Sequence, residues 1–380
     1  MKYYIISGEA SGDLHGANLI RSILHRDHDA DIRFWGGDKM GVFQSPKVVQ
    51  VRHIRDLAFM GFVEVISHLS TVLGNISFCK RDILEFKPDV VVFIDYPGFN
   101  LKIAKYTHAH GIKNVYYISP QIWAWKKGRI RPMRRDLDAL CYILPTERKF
   151  YAANAMPQAV YVGHPLLDEV ARYNAEAQTA ATKSLVEGDS RPVVALLPGS
   201  RKQELSRLLP TMMRLAAKHS EYHFVVAGMS LVGEEFYRRY VSETADNVTI
   251  VYDRTYDILS QAYAAIVCSG TATLETALFR VPEVVCYQCN KISAAIAKRL
   301  IASRISYISL VNLIADSPVV TELIQEQYNL ERLEDELKKI TIDADSRQVM
   351  QNGYQGVIDI LGGEGASQRT ADKIIEIANR

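Results

Sequence analysis

A carboxylate follows the most apolar run in the first half of the sequence. Asp95 comes directly after residues 90–94, which are Val, Val, Val, Phe and Ile, and it precedes the turn-like residues 96–100. At the carboxyl end of a buried strand, this side chain could act as a general base on a substrate hydroxyl, which contributes roughly 10²–10⁴-fold to a rate. An aspartate that only starts a turn before Pro97 is the structural alternative. The local sequence is compatible with both roles.

A second group of polar residues follows the first apolar run, residues 3–6. Residues 8–16 read Gly-Glu-Ala-Ser-Gly-Asp-Leu-His-Gly, a strand-to-helix turn at the edge where open α/β sheets bind ligands. Glu9, Ser11 and Asp13 suit hydrogen bonding to sugar hydroxyls, because two carboxylates would repel a diphosphate. The alternative makes Asp13 a helix N-cap and the glycines ordinary turn residues.

Two turns in the second half of the chain are suited to a nucleotide. After the apolar residues 193–197, Gly199, Ser200 and Arg201 open a helix whose free N–H groups would attract a diphosphate. A capping box formed by Ser200 and Gln203 would need no ligand at all. This turn alone therefore leaves both interpretations open.

The other turn consists of Ser269, Gly270 and Thr271 after the apolar residues 265–268, with Glu275 one helical turn further on. The Glu275 carboxylate could accept hydrogen bonds from both ribose hydroxyls. An acid near a helix N-terminus is also favoured by the helix dipole without any ligand. Two such turns in one half of the chain favour a nucleotide site.

An apolar stripe marks residues 59–76. If this segment is helical, one face carries large apolar side chains and the other carries polar ones. The apolar face consists of Phe59, Phe62, Ile66, Leu69, Leu73 and Ile76. With basic residues at both ends, the pattern fits an interfacial amphipathic helix on a membrane. Packing of the stripe on the protein core is the usual alternative.

A basic and aromatic cluster lies at residues 123–135. It contains Trp123 and Trp125 together with Lys126, Lys127, Arg129, Arg131, Arg134 and Arg135. Each cation near an anionic lipid surface contributes about 1 kcal/mol of attraction. Nucleic-acid binding would use the same residue types.

The length and composition of the chain indicate its domain count and the class of protein to which it belongs. The chain has 380 residues, 48% of them apolar, which at roughly 150 residues per domain is enough for two domains. A net charge of +2 predicts no general attraction for nucleic acid. Five scattered cysteines and an N-terminus unlike a signal peptide indicate a cytoplasmic protein. No apolar run reaches the roughly 18 residues that a spanning helix needs.

Short apolar runs alternate with helical patterns along both halves of the chain. Strands are expected at residues 3–6, 31–35, 90–94, 114–118, 139–144 and 160–162, and again at 193–197, 224–227, 248–251, 265–268 and 284–287. Runs of Val and Ile indicate strands covered on both faces, and the alternation indicates parallel pairing through right-handed crossovers. The polar residues 169–191 separate the two series. The predicted fold class is α/β, with two Rossmann-like doubly wound domains facing across a cleft.

Six ordered motifs span nearly the whole chain. They are Gly8-Glu9-Ala10-Ser11-Gly12-Asp13, Ser119-Pro120-Gln121-Ile122-Trp123-Ala124-Trp125, Val162-Gly163-His164-Pro165-Leu166, Leu197-Pro198-Gly199-Ser200-Arg201, Ser269-Gly270-Thr271-Ala272 and Ala366-Ser367-Gln368-Arg369. Together they resemble the lipid-A-disaccharide synthase family. The resemblance implies an inverting glycosyltransferase of GT-B type that requires neither a metal nor a cofactor. The implied reaction moves 2,3-diacylglucosamine from UDP to the 6-hydroxyl of 2,3-diacylglucosamine 1-phosphate, which releases UDP.

The resemblance also assigns parts of the chain to parts of the reaction. We expect an acceptor-side domain with the membrane-facing helix at residues 1–168 and a UDP-sugar-binding domain at 169–352. A C-terminal helix within residues 353–380 is expected to pack back on the first domain.

Individual site residues follow from matching positions. Asp95 matches the proposed base of the family, Arg201 and Glu275 match its nucleotide side, and Asn312 matches an asparagine facing the donor. The acceptor or sugar side is expected to include Glu9, Ser11, Asp13, Asn100 and His164, and the nucleotide side Gly199, Ser200, Ser269, Gly270 and Thr271. The chain departs from the family pattern at Gly98, where a second aspartate is common, and at Val311, where a proline is common.

The expected partners follow from the implied substrates. Diacylated sugars lie in the cytoplasmic leaflet of the inner membrane, so residues 59–76 are expected to face that leaflet, and a homodimer is among the assemblies that the resemblance implies. No nucleic-acid partner and no metal are expected. The alternatives are an enzyme like UDP-N-acetylglucosamine 2-epimerase, which has a similar fold, and a non-catalytic peripheral protein that binds sugar nucleotides.

Overall fold

The chain forms two compact units in the part that the structure describes. The computed structural model describes residues 1–57, 69–120, 122, 127–179, 184–241, 246–289 and 306–380. One unit consists of Met1–Asp168 with Gly363–Arg380, and the other of Glu169–Gly362. Each is built on one parallel sheet.

The sheet of the first unit has the strand order β3-β2-β1-β4-β5-β6-β7. Its strands are β1 (Lys2–Ser7), β2 (Asp31–Gly36), β3 (Val48–His53), β4 (Val90–Ile94), β5 (Lys113–Tyr117), β6 (Ala139–Tyr142) and β7 (Ala159–Tyr161). Its described helices are α1 (Ala10–Arg26), α2 (Asp38–Gly41), α3 (Leu69–Phe86), α4 (Pro97–Ala109), α5 (Ile130–Asp136) and α6 (Glu147–Ala153), with α7 (Pro165–Thr179) leading into the second unit. From β1 the chain adds strands β2 and β3 on one side of the sheet, and strands β4 to β7 on the other side. The carboxyl ends of β1 and β4 therefore form a topological switch point.

The sheet of the second unit has the order β10-β9-β8-β11-β12-β13. Its strands are β8 (Val193–Leu197), β9 (His223–Gly228), β10 (Val248–Tyr252), β11 (Ala264–Cys268), β12 (Glu283–Tyr287) and β13 (Thr321–Ile324). Its helices, as far as they are described, are α8 (Lys202–Lys218), α9 (Glu234–Arg238), α10 (Thr255–Gln261), α11 (Thr271–Leu278), α12 (Leu310–Ala315), α13 (Leu330–Thr341) and α14 (Ala344–Leu361). Here the switch point lies between β8 and β11, so each unit has one ligand-binding edge of the same topological kind.

Strand register brings the predicted site segments together within each unit. Ser7 is paired with Ile94, so the chain leaves β1 and β4 side by side at Gly8 and Asp95. In the second unit Leu197 is paired with Val267, which puts the turns after β8 and β11 next to each other. The two pairs of neighbouring turns follow directly from parallel pairing, because parallel strands end at the same edge of a sheet.

A buried aromatic cluster supports the switch point of the first unit. Tyr4, Trp35 and Phe93 are fully buried, and the Trp35 indole donates a hydrogen bond of 2.8 Å to the Tyr4 hydroxyl. The Tyr4 hydroxyl in turn donates to Asp82 at 2.8 Å. Each such side chain removes enough apolar surface from water to stabilise the fold by roughly 1.5–3 kcal/mol. The strands that end at Ser7 and Ile94 are therefore anchored in a rigid core.

The last helix of the chain, α15 (Ala366–Ala378), belongs to the first unit. Its N-terminus is held by the Asp168 carboxylate, which accepts hydrogen bonds from the N–H groups of Gly365 and Ser367. We expected the C-terminal segment to begin at residue 353, and this boundary is wrong. Helix α14 continues unbroken to Leu361, because Tyr354 is buried in the second unit and its hydroxyl donates to the Val281 carbonyl at 3.0 Å.

Candidate functional site

The backbone bends sharply where β4 ends. Asp95 and Tyr96 have positive φ angles of 44° and 48°, a region that non-glycine residues rarely occupy and that costs about 1–3 kcal/mol for each residue. The Asp95 carbonyl accepts hydrogen bonds from the Asn100 carboxamide at 2.7 Å and from the Tyr116 hydroxyl. Asn100 also donates to the Ile94 carbonyl at 3.3 Å. These side chains hold the turn in a conformation that the backbone alone would not favour.

The Asp95 side chain is half-buried, and its surroundings change its acidity. Burial, with a smaller contribution from the negative charge of Glu9, raises the pKa of Asp95 to about 6. The group is therefore still mainly ionised at neutral pH, but it is a stronger base than an ordinary aspartate. A poised carboxylate of this kind is suited to accept a proton from a hydroxyl.

The turn after β1 packs closely against the Asp95 turn. A Cβ atom on Gly8 would lie 2.4 Å from the Tyr96 ring, and one on Gly12 would lie 2.6 Å from the Ser7 hydroxyl oxygen. Gly8 therefore requires glycine for this close approach, whereas a side chain at position 12 would displace the Ser7 hydroxyl. Outside this contact, Glu9 is half-buried and Ser11 is exposed. Of the residues predicted to bind the acceptor or sugar, Glu9 and Ser11 are therefore at least partly accessible, as is the predicted base Asp95.

Asp13 has a different role from the one expected. Its carboxylate is 4% exposed and accepts hydrogen bonds from the N–H groups of Gly37 at 2.6 Å, Lys39 at 3.0 Å and Met40 at 3.1 Å. These groups form the N-terminus of α2, where a negative charge is favourable. The expectation of a sugar contact is corrected, because the carboxylate is buried in a structural cap.

Asn100 and His164 also face the protein interior. Asn100 is fully buried and uses its amide N–H groups on the β4 turn, which corrects its expected contact with a sugar. His164 is 3% exposed and its Nδ1 accepts the N–H of Leu166 at 3.3 Å. Burial and the neighbouring His15 lower the pKa of His164 to about 3. A buried neutral imidazole at the start of α7 is a structural residue rather than a sugar ligand.

The turn after β8 presents backbone N–H groups to an anion. Gly199 has a φ of +106°, and the N–H groups of Ser200 and Arg201 donate to the Glu204 carboxylate at 3.1 and 3.2 Å. Arg201 Nη1 lies 3.8 Å from the other Glu204 oxygen, and the Arg201 side chain is 62% exposed. The cap of this helix is therefore made by Glu204 and not by Ser200 and Gln203, the pair that the ligand-free alternative named.

The turn after β11 lies beside it. The Ser269 hydroxyl donates to the Ile308 carbonyl at 2.9 Å, while Gly270 and Thr271 are exposed at the start of α11. One turn further on, the half-buried Glu275 accepts a hydrogen bond of 2.9 Å from the Tyr256 hydroxyl. The second unit therefore brings together exposed N–H groups, one exposed guanidinium and a fixed carboxylate.

Asn312 does not face an open site. It is 1% exposed, and its carbonyl oxygen accepts the N–H groups of Val319 at 2.8 Å and Val320 at 2.9 Å. Its amide donates to the Val320 carbonyl at 2.9 Å and to Glu322 at 3.0 Å. The side chain ties α12 to the following loop and to β13, so the expected contact with the donor is corrected.

The predicted membrane face is only partly within the described ranges. Phe59, Phe62 and Ile66 lie outside the described residues, as does the side chain of Leu69. Leu73 is 52% exposed, whereas Ile76 is 7% exposed and packs in the core of the first unit. Ile76 therefore does not face a membrane. No described helix is long and apolar enough to cross one.

The described residues contain no group of three or more His, Cys, Asp and Glu side chains arranged to hold a metal ion. The site instead includes three residues that the sequence reasoning missed. Tyr116 holds the Asp95 carbonyl, Glu204 occupies the β8 turn, and Tyr256 fixes Glu275. Only Glu204 had a local signal, since it stands three residues after Arg201 as an acid in a capping box does.

Comparison with known proteins agrees with the motif pattern. The family model for lipid-A-disaccharide synthetase matches residues 3–376. Lipid-A-disaccharide synthases from Trichlorobacter lovleyi and Syntrophus aciditrophicus are 34% and 38% identical to this chain. The alignments cover 99% and 97% of this chain and 97% and 95% of those proteins.

Solved structures with a similar fold are more distant in sequence. The UDP-GlcNAc 2-epimerase from Neisseria meningitidis bound to UDP-GlcNAc has a TM-score of 0.68 at 12% identity, covering 99% of this chain and 100% of that chain. The glycotransferase of kitacinnamycin has a TM-score of 0.64 at 14% identity, covering 99% and 98%. At such identities the likeness concerns the fold alone, and it confirms the predicted α/β class with two Rossmann-like domains.

The sequence match to lipid-A-disaccharide synthases assigns the family, which the structural similarity to an epimerase and a glycotransferase does not. It extends over almost the whole of this chain and of its relatives, at identities far above those of the epimerase and the glycotransferase structures. The strand ends that form the two switch points lie inside the matched residues 3–376. The chain belongs to the lipid-A-disaccharide synthase family of glycosyltransferases.

Proposed function

We propose that this chain transfers 2,3-diacylglucosamine from its UDP derivative to the 6-hydroxyl of 2,3-diacylglucosamine 1-phosphate. The products are UDP and a β-1,6-linked disaccharide 1-phosphate. The observation that carries this proposal is the family match along residues 3–376. The half-buried carboxylate of Asp95, with its raised pKa, supports the proposed chemistry.

In the proposed step, the Asp95 carboxylate accepts the proton of the acceptor 6-hydroxyl. The hydroxyl oxygen forms a bond to the anomeric carbon of the donor while the bond between that carbon and the diphosphate oxygen breaks. The electron pair of the broken bond leaves with UDP, and the configuration at the anomeric carbon inverts. A base with a pKa near 6 is well matched to this step, because it is ionised at neutral pH and still accepts a proton readily.

The UDP group is assigned to the second unit. The N–H groups of Ser200 and Arg201 already hold a carboxylate, which supports their use for another anion. In this proposal the donor diphosphate replaces Glu204 on the turn, and the exposed Arg201 adds a charge-assisted hydrogen bond to the leaving group. Glu275, held by Tyr256, accepts the ribose hydroxyls.

The lipid substrates imply a location at a membrane surface. We assign the enzyme to the cytoplasmic face of the inner membrane, with the exposed Leu73 on the part of α3 that continues the predicted apolar stripe. Trp123, Trp125 and the neighbouring cations would add contacts with anionic lipid. A homodimer is the proposed assembly.

Product analysis tests the proposed reaction. Purified protein is incubated with UDP-diacylglucosamine and diacylglucosamine 1-phosphate, and the products are identified by mass spectrometry and by NMR, which reports the sugar configuration. We expect one new species whose mass equals the sum of the masses of the two substrates minus the mass of UDP. A hexosamine of unchanged mass but altered configuration would instead indicate a 2-epimerase, and binding of UDP-sugar without any product would indicate a non-catalytic protein.

A further inference from the structure

We infer that Tyr116 is a positioning residue for Asp95, and that its hydroxyl sets the orientation in which the carboxylate meets the acceptor. This inference rests on the proposed role of Asp95 as the base. It concerns a residue on a neighbouring strand, β5, that none of the sequence motifs includes.

The contact that carries the inference is made to the backbone of Asp95. The Tyr116 hydroxyl donates to the Asp95 carbonyl, and Asn100 donates to the same oxygen at 2.7 Å. Both donors therefore act on the peptide group between Asp95 and Tyr96, and both of these residues have positive φ angles. Fixing this carbonyl limits the φ and ψ angles that Asp95 can adopt, and the φ angle sets the direction of its Cα–Cβ bond.

The environment of Tyr116 makes its hydroxyl a fixed donor. The residue is fully buried, and its ring packs beside Phe93 with ring centroids 6.0 Å apart. Burial holds the pKa of the Tyr116 hydroxyl well above its ordinary value, so the proton stays on the oxygen. The ring packing does not depend on the hydroxyl, and replacement by phenylalanine removes the hydrogen bond while it keeps the apolar contact.

The next residue on the same strand provides a matched control. Tyr117 is also fully buried, and alternation along a strand directs its side chain to the opposite face of the sheet, near Ser367 and Thr370 of α15. The Tyr117 backbone carbonyl accepts the Asp95 N–H at 3.1 Å, and Tyr117→Phe leaves this contact in place. The variant therefore deletes an equally buried hydroxyl that itself does not touch the β4 turn. Tyr117→Phe controls for the removal of a buried hydroxyl, whereas only Tyr116→Phe also removes a hydrogen bond to the β4 turn.

The test compares Tyr116→Phe and Tyr117→Phe in the full-length protein, with the active fraction normalised by the stoichiometry of UDP binding. We expect Tyr116→Phe to lower kcat by about 10-fold, because small displacements of a reacting group reduce rates strongly. KM and UDP affinity should stay within about 2-fold of the parent, and Tyr117→Phe should keep kcat within about 2-fold. Equal kcat values for the two variants would overturn the inference.

A double variant separates this inference from the proposed function. If Tyr116 acts through Asp95, then adding Tyr116→Phe to Asp95→Asn should lower kcat by less than about 2-fold, since the base is already absent. A full 10-fold loss in that background would contradict a positioning role. If Asp95→Asn alone is as active as the parent, the base assignment itself fails, and that result is distinguishable from equal effects of the two tyrosine variants.

Discussion

The two units use the same topological edge in different ways. In the first unit the switch point holds a half-buried carboxylate on a strained backbone, with the Asp95 carbonyl fixed by Asn100 and Tyr116. In the second unit the corresponding turn is exposed, and its N–H groups are satisfied by Glu204 of the same chain. One edge is built around a half-buried carboxylate, and the other holds an internal carboxylate that we propose the donor diphosphate replaces.

This difference indicates a division of labour between chemistry and binding. Strain and burial cost free energy, and they persist only where the surrounding structure holds them in place. An exposed turn with backbone donors requires no such support, and in our proposal it exchanges the Glu204 carboxylate for the donor diphosphate. We therefore expect changes at the first edge to affect turnover, and changes at the second edge to affect UDP affinity.

The largest effect is expected from Asp95→Asn, which keeps the shape of the side chain but removes its basicity. Turnover should fall by about 10²-fold or more, while UDP affinity stays within a few-fold. Steady-state assays of disaccharide formation measure the first quantity and calorimetry measures the second. Asp29→Asn, at a 91% exposed carboxylate paired with Lys47, serves as the control and should retain the parent rate. Unchanged turnover in Asp95→Asn would remove the chemical role from the first edge.

The next effect concerns Arg201, on the exposed turn of the second unit. Arg201→Ala should weaken UDP binding by about 10–100-fold, since charge-assisted hydrogen bonds contribute roughly 1.5–3 kcal/mol. Calorimetry should show a smaller loss for uridine, because uridine lacks the diphosphate. Arg238→Ala is the control, since its side chain is 58% exposed and paired with Glu234 in the same unit. If the Arg201 and Arg238 variants bind UDP equally well, the diphosphate lies elsewhere.

A smaller effect is expected from Glu275→Ala, which removes the proposed ribose acceptor. Loss of a partly exposed pair of hydrogen bonds should weaken binding by about 10-fold. Because the ribose is common to both ligands, UDP and uridine should lose the same factor in calorimetric titrations. A loss of affinity for UDP but not for uridine would instead indicate that Glu275 acts on the diphosphate. The turns after β8 and β11 would then not have the separate roles proposed here.

The smallest effect is expected from removing divalent metal. In our proposal, N–H groups and Arg201 neutralise the leaving UDP, so turnover with excess chelator should match turnover with added Mg²⁺. A loss of more than about tenfold that Mg²⁺ restores would mean that carboxylates aimed at the diphosphate hold a metal there. Such a result would contradict an electrostatic role for the exposed turn.

Much of the architecture could be predicted from the sequence. Buried strands such as β1, β4 and β11 are continuous apolar runs, and their register follows from parallel pairing, so Asp95 was correctly located at a strand end. The edge strands β3 and β13 were not predicted. Their sequences, VVQVRH and TELI, place polar residues among the apolar ones and so lack a continuous apolar run.

The partners of individual polar side chains could not be predicted in the same way. Asp13 binds N–H groups 24 to 27 residues away, and Tyr116 donates to the Asp95 carbonyl from the neighbouring strand β5. Asn312 is satisfied by a loop and a strand that local patterns do not connect to it. Such contacts depend on tertiary packing, whereas motif matching reports only that a polar residue stands at a position.

The pH dependence of kcat/KM, measured for the parent and for Asp95→Asn, tests most directly whether Asp95 is the base. Because the pKa of Asp95 is raised to about 6, the parent should be fully active above that pH and should lose activity as the pH falls through it. This fall in activity is the acidic limb of the pH profile. Glu9→Gln should move the acidic limb to lower pH, since the negative charge of Glu9 contributes to the raised pKa of Asp95. The phosphate of the acceptor also titrates near pH 6, and a limb that it causes would remain in every variant. We predict that the residual activity of Asp95→Asn lacks the limb; an identical limb in Asp95→Asn and in the parent would contradict the assignment of Asp95 as the base.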